Sequence, residues 1–245
     1  MGTDSKIEWT DATVNFWWGC TKVGPGCDHC YAEGLSKRYG WATWGPHGER
    51  KRTSPTNWRK PIAWDKAAAK AGVRYRVFCA SLADWLDNQV PDQWRDDLAD
   101  LIDETPHLDW LLLTKRIQNF GKHAPWHDDA IPQNVWLGIS CGSQDEFDRD
   151  YRKLAKLGAR IRFVSYEPAL APLNFVGGIS PRPNWIICGG ESGHHARTMD
   201  PEWARDLRDA CGLHGISFFM KQMTKKAEIP PDLLVRQLPT PESRP

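Results

Sequence analysis

No stretch of this chain stays apolar for anything near the roughly 20 residues a membrane span needs, and no basic segment followed by an apolar core marks a leader peptide. Neither sign of charge is in excess: 32 Lys and Arg stand against 31 Asp and Glu, a net charge of +1. A global electrostatic pull on nucleic acid is thereby excluded, and any such binding falls to a local patch. There is no internal repeat or low-complexity block, which excludes a solenoid. The cysteine count is odd, at seven, so the thiols cannot all be paired. These absences lead us to expect a cytoplasmic protein, whose cysteines are ligands or buried free thiols rather than disulfides. At 245 residues the chain is long enough for one α/β domain with a large core.

What is present begins with Cys20, Cys27 and Cys30, three cysteines within eleven residues. Gly24-Pro25-Gly26 lies between the first two and predicts a type II turn, with Pro presetting the first corner and Gly taking the positive φ. Three thiolates are one short of a closed tetrahedral zinc site, whereas a four-iron cluster held by three thiolates keeps one iron open. His29 or Asp28 is the candidate fourth ligand of the alternative, a zinc-stabilised protein that binds nucleic acid or a partner without catalysis.

A short strand over 13–18 leads into the cysteine loop, and a helix over 32–38 leaves it. Residues 40–66 are punctuated by Gly and Pro and read as an inserted loop. Arg50, Lys51 and Arg52 stand there among Trp44 and Trp58, the alternation of cations and flat rings found in single-strand nucleic-acid grooves. Beyond it, short β-branched runs alternate with amphipathic runs: strands over 75–80, 108–113, 134–139, 161–164, 185–188 and 216–220, helices over 91–104, 144–157 and 201–214. Doubly buried strands separated by helices specify a parallel sheet. The predicted fold is a partial or nearly closed parallel (β/α) barrel of six to seven strands over residues 1–224, with a doubly wound open sheet as the alternative. A proline-rich strap follows over 225–245.

In a parallel barrel the reactive groups sit at the C-terminal ends of the strands. Here the apolar runs exit into the cysteines, then Ser81 and Asp84, then Thr114, Lys115 and Arg116, then Ser140 and Cys141. Later exits carry Ser165, Tyr166 and Glu167, then Gly189, Gly190 and Glu191, then Lys221 and Gln222. All are expected on one rim. Cys141 and Lys221 are the candidates there for a catalytic part.

The cysteines, followed by Tyr31 and Ala32, resemble the cluster loop of the radical S-adenosylmethionine (SAM) superfamily, near the spore photoproduct lyase-like proteins. The commonest loop of that superfamily has three, then two residues between its cysteines; this one has six, then two. A wider resemblance, to a phage-associated three-Cys-motif family, runs from Lys6 to about Arg236. It passes through Ser81-Leu-Ala-Asp84, Leu113-Thr-Lys-Arg116, Ser165-Tyr-Glu-Pro168, Gly189-Gly-Glu-Ser192 and Phe219-Met-Lys-Gln222. The resemblance implies a TIM-barrel-like enzyme with a [4Fe-4S] cluster on Cys20, Cys27 and Cys30. It also implies SAM as second cofactor, an electron donor such as flavodoxin or ferredoxin, and hydrogen abstraction from a substrate. On that reading Arg116 or Lys115 pairs with the SAM carboxylate, the arginine favoured for its bidentate fork. Asp84, Glu167 or Glu191 accepts from the SAM amino group or ribose, Ser81, Thr114 and Ser140 add polar contacts, and Gly189-Gly190 lets backbone approach. The expected substrate is a nucleic acid or nucleobase, bound through Trp44, Arg50, Lys51, Arg52 and Trp58.

Overall fold

The computed structural model describes residues 5, 7–174, 180–193 and 195–239. Lys6 at the head of the wider resemblance, and Pro241 and Pro245 of the expected strap, lie outside them. The strands are β1 (Ala12–Thr13), β2 (Trp17–Trp18), β3 (Lys51–Arg52), β4 (Tyr75–Cys79), β5 (Leu108–Thr114), β6 (Val135–Ser140), β7 (Ile161–Tyr166), β8 (Trp185–Gly189) and β9 (Ser217–Gln222). The helices are α1 (Tyr31–Tyr39), α2 (Pro55–Trp58), α3 (Lys60–Ala71), α4 (Asp92–Asp103), α5 (Phe120–His123), α6 (Gln144–Leu154) and α7 (Pro201–Leu213). Seven strands form one sheet, all parallel, in the order β1-β4-β5-β6-β7-β8-β9, while β2 and β3 make a separate antiparallel ribbon.

Period-two alternation sorts each strand's side chains onto two faces. Val77 and Cys79 of β4, Trp110 and Leu112 of β5, and Leu137 and Ile139 of β6 join the helices in the larger core. Their neighbours Phe78, Leu111 and Trp136, with Phe163, Trp185 and Phe219, fill a second, aromatic core on the opposite face. Trp9 shows how far the sheet curls, because its ring centroid lies 4.7 Å from Phe78 on β4 and 5.9 Å from Trp185 on β8. In a flat sheet those strands, four places apart, would be separated by about 19 Å. The sheet is therefore a half-barrel whose concave base is plugged by the segment before β1. Gly138 admits Phe163 from the next strand: a Cβ there would stand 2.3 Å from the Phe163 ring.

Helix ends follow local chemistry. The Ser143 hydroxyl accepts from the Glu146 amide at 3.4 Å to cap α6, and Asp200 accepts from the Glu202 amide at 2.9 Å to cap α7 ahead of Pro201. Phe147, Tyr151 and Leu154 follow at helical spacing and bury the inner face of α6. Each such fully buried side chain contributes about 1.5–3 kcal/mol of hydrophobic stabilisation.

Two expectations are corrected. The strand over 13–18 is two, β1 in the sheet and β2 in the ribbon. Asn15 marks the crossing: its carbonyl accepts from the Asn57 amide group, and its side-chain oxygen accepts from the Leu82 amide, each at 2.7 Å. The expected loop over 40–66 turns helical in its second part, from Pro55 onward. Pro55 follows Ser54, the cap of α2, and Pro61 falls in the first turn of α3, where a missing amide hydrogen costs nothing. After β9 the chain forms short 3-10 turns at Thr224–Lys226 and Pro231–Leu233, and Arg236 bridges back to Phe219.

Candidate active site on the strand rim

A cavity of about 190 Å³ opens at the C-terminal ends of the strands. Cys20, Cys27 and Cys30 line it together with Trp44, Ser81, Asp84, Thr114, Lys115, Arg116, Ser140, Ser165, Glu167 and Lys221. Five strand exits thus meet the cysteine loop in one place. Trp9 and Phe78, from the aromatic core, belong to the same wall.

Three arginines grip the cysteine loop. Arg116, 4% exposed, donates to an Asp84 carboxylate oxygen at 2.9 Å, to the Cys20 sulfur at 3.4 Å and to the Thr21 carbonyl. Arg50, 6% exposed, bonds Asp87, the Thr21 hydroxyl at 2.8 Å and the carbonyls of Gly45 and Gly48. Arg197 arrives from the far end of the chain, donating to the Pro25 carbonyl at 2.7 Å and to Asp28 at 3.4 Å while Glu191 holds it at 2.5 Å. Gly19, at φ +102°, turns the chain into Cys20 in a conformation that side chains resist. The turn that follows is not type II. Cys27 donates its amide to Gly24 and Asp28 donates to Pro25, so Pro25–Cys27 is a 3-10 turn and Gly26 stays out of the left-handed region. Burial pushes the Cys20 thiol up to about 12; the Asp84 charge adds to this and Arg116 opposes it.

The opposite wall is one hydrogen-bonded chain. The Lys115 ammonium donates to the Ser140 hydroxyl at 2.5 Å, and that hydroxyl donates to the Glu167 carbonyl at 3.0 Å. The Glu167 carboxylate pairs with Lys221 at 2.8 Å and accepts from Ser165 at 3.2 Å. Lys115 is the cation of this wall with a neutral partner.

Several expected roles need correction. Asp84 accepts from the Thr114 hydroxyl, the amides of Leu86 and Lys115 and the Arg116 guanidinium, so its oxygens are occupied within the protein. Arg116 is equally committed, which leaves Lys115 rather than Arg116 available to a carboxylate. Burial works against the charge of Arg116, but Asp84 and Cys20 outweigh it and hold the group above its ordinary value. Glu191 braces Arg197 instead of facing the cavity. Burial raises its carboxyl, but the hydrogen bonds from Arg197 prevail and keep it below the ordinary range. Gly189 and Gly190 serve the fold: a Cβ at Gly189 would stand 2.7 Å from a Glu167 oxygen, and one at Gly190 would stand 2.6 Å from the Thr224 amide nitrogen. Cys141 is buried off the cavity, its thiol pushed far up by that burial, and has no route to a ligand.

The expected nucleic-acid set divides. Arg50 is buried. Arg52 lies 4.2 Å over the Trp58 ring and pairs with Asp97 at 2.5 Å, so both are packed into the ribbon's inner side. Trp44 faces the cavity, and on the ribbon Lys51 and part of Arg52 stay exposed to solvent. Sequence reasoning missed Trp9, Tyr31 and Arg197. Tyr31 lines the cavity, its hydroxyl donating to the Ser81 carbonyl at 2.7 Å.

Among the described residues, no three His, Cys, Asp or Glu side chains stand at the separations that hold a single metal ion. Asp28 is drawn to Arg197, and the His29 ring faces His195 at 6.1 Å. The three thiols do fit a larger polynuclear group. All are unpaired and half-buried on one wall, a cation touches Cys20, and the space they face is shared with Lys115.

A parallel half-barrel with three cysteines on its C-terminal rim defines the class of protein. The profile of the family described as "Protein of unknown function (DUF5131)" matches residues 4–233, and the chain belongs to that family. No curated protein matches it in sequence. Among solved structures it is similar to a variant of spore photoproduct lyase at 11% identity and a TM-score of 0.53, covering 91% of this chain and 79% of that one. A second variant of that lyase, with bound AdoMet and dinucleoside spore photoproduct, gives 11% identity, a TM-score of 0.52 and the same coverage. The likeness is one of fold. These comparisons carry no phage association.

Proposed function

We propose that this protein is a radical SAM enzyme that binds a [4Fe-4S] cluster through Cys20, Cys27 and Cys30 and SAM beside it. The observation that carries the proposal is the convergence of all three cysteines and five strand exits on a single cavity. When bound, the cluster supplies the electron for reductive cleavage of SAM, and the radical so released takes hydrogen from a substrate. This chain's residues supply position and charge. Arg116 holds the Thr21 carbonyl, Arg50 the Thr21 hydroxyl and Arg197 the Pro25 carbonyl, so the thiols are held before any ligand arrives. Lys115 offers its ammonium to the SAM carboxylate, and the Glu167–Lys221 pair offers an acceptor and a donor to its amino and ribose groups. Trp9 and Phe78 give a flat apolar floor that keeps water from the reacting atoms. Cys30 also lines an outer cleft with Lys22 and Lys37, which suits electron entry from a flavodoxin or ferredoxin in the cytoplasm.

Anaerobic purification followed by iron and sulfide analysis, visible spectroscopy and an assay for 5′-deoxyadenosine tests the proposal. The wild-type protein should be brown and cleave SAM on reduction. Cys20→Ala, Cys27→Ala and Cys30→Ala should each lose both properties while staying folded, since a core of this size does not depend on the metal. Colourless protein with stoichiometric zinc would replace this reading with a structural metal.

A further inference from the structure

The two-stranded ribbon that carries the cysteine loop has two unlike faces. Trp17 and Arg52 are directly opposite in the β2–β3 register, as are Trp18 and Lys51, so each pair shares a face. The first pair turns inward, Trp17 against Trp94 and Arg52 over Trp58. The second turns outward, and there Trp18 stacks on Trp41 with ring centroids 5.3 Å apart and planes at 24°. Trp41 stacks in turn on Tyr39 at 5.0 Å and 18°. The result is a column of three nearly parallel rings that starts two residues before Cys20 and ends on Tyr39, which is 58% exposed.

Such a column is costly to leave in water, and packing does not require it: Tyr39 terminates α1, and its ring reaches no buried cluster. Arg38, the residue before Tyr39, and Lys51, directly opposite Trp18 in the ribbon, are both exposed. The exposed acid in the neighbouring loop is Glu49, so the patch is net positive. Trp44, five residues along the chain from Tyr39, already lines the cavity. Flat rings flanked by cations match a polyanion that carries flat rings of its own. A proline-rich peptide would use the rings and leave the cations idle, and a duplex would engage the cations and keep its bases stacked internally.

We infer that the Trp18–Trp41–Tyr39 column is a stacking platform for a base of single-stranded nucleic acid, whose adjoining phosphates meet Arg38 and Lys51. The inference rests on the proposed function only in making the strand the substrate delivered to the cavity; the binding itself needs no cluster chemistry.

Fluorescence anisotropy with a short fluorescein-labelled oligothymidylate, on anaerobically purified protein, tests it. Tyr39→Ala removes an exposed ring without touching the core and should weaken binding roughly 5- to 150-fold, the range for losing one base stack, at every salt concentration. Tyr39→Phe should bind as wild type. Replacing Arg38 and Lys51 with Ala should flatten the log–log salt dependence by about 1.4 units, at roughly 0.7 per phosphate contact. The platform is refuted by no binding at low salt, by equal binding of Tyr39→Ala, by a duplex of the same length binding as well, or by a proline-rich peptide competing as well. SAM cleavage measured in parallel separates the two ideas. Cleavage without strand binding removes the platform alone, and strand binding without cleavage removes the enzyme reading alone.

Discussion

Asp84→Asn tests whether the cysteine loop is anchored by a buried ion pair. In the wild type three of the four hydrogen bonds to the carboxylate come from groups that can only donate, the Leu86 amide at 3.0 Å and the Lys115 amide and Arg116 guanidinium at 2.9 Å each; the fourth comes from the Thr114 hydroxyl at 2.6 Å. Asparagine has the same shape, but one oxygen becomes an NH₂ group. If its remaining oxygen serves Thr114 and Leu86, its NH₂ points at the Lys115 N–H and a guanidinium, donor against donor. Arg116, 4% exposed, is then left charged with no carboxylate bonded to it, since the nearby Asp87 is paired with Arg50. Breaking a buried pair from one side costs about 3–5 kcal/mol. For a domain of this size each kcal/mol lowers the melting temperature by about 2–4 °C, so the expected drop is roughly 6–20 °C. Differential scanning fluorimetry on the cluster-free protein gives the readout. Arg116→Met removes the stranded charge, so Asp84→Asn combined with Arg116→Met should cost clearly less than the sum of the two single changes. A shift within a degree or two for Asp84→Asn, or strict additivity in the pair, would refute the anchoring role.

Two further outcomes follow from contacts already described. Arg197→Ala should lower the melting temperature by less than Asp84→Asn does, because its guanidinium is about a third exposed, although it leaves the Glu191 carboxylate, 5% exposed, without its partner. It should nevertheless speed the reaction of Cys27 with a disulfide reagent several-fold, through release of the Pro25 carbonyl, and an unchanged rate would assign Arg197 to the surface alone. Gly138→Ala should destabilise by about 1–3 kcal/mol through overpacking against the Phe163 ring. Urea unfolding measures that cost, and Phe163→Leu in the same chain should recover part of it.

The sheet was legible because its strands are buried on both faces and their apolar runs stand out between amphipathic helices whose starts carry their own caps. Strand ends were misjudged by only a few residues, as at β7, where Ser165 and Tyr166 read as loop yet continue the ladder to Ile187 and Cys188. The rim was legible for the same reason, since polar residues that follow apolar runs in a parallel sheet gather at one end. What could not be read was which of them face a ligand and which face one another. Asp84 and Arg116 are 32 positions apart, and Arg197 reaches across 172 positions to Pro25. No local pattern announces such pairings. The basic, tryptophan-bearing segment misled for a different reason: composition does not reveal that adjacent residues of a ribbon point oppositely. Lys51 and Arg52 therefore belong to unlike surroundings, and the prolines taken as breaks are helix starts.

The inner face of the half-barrel changes character over a single step of the pleat. Below lie Phe78, Trp136, Phe163, Trp185 and Phe219, and further along the inward side of the strands come Leu113, Ser140, Ser165 and Lys221, all on the cavity wall. Apart from Phe78 and Leu113, which touch both the aromatic core and the cavity, folding and cavity contact are thus entrusted to different residues of the same strands. Exchanges at those four upper positions would alter the shape and polarity offered to a ligand while leaving every ring of the base in place. Variation there would change what the cavity admits on an unchanged scaffold.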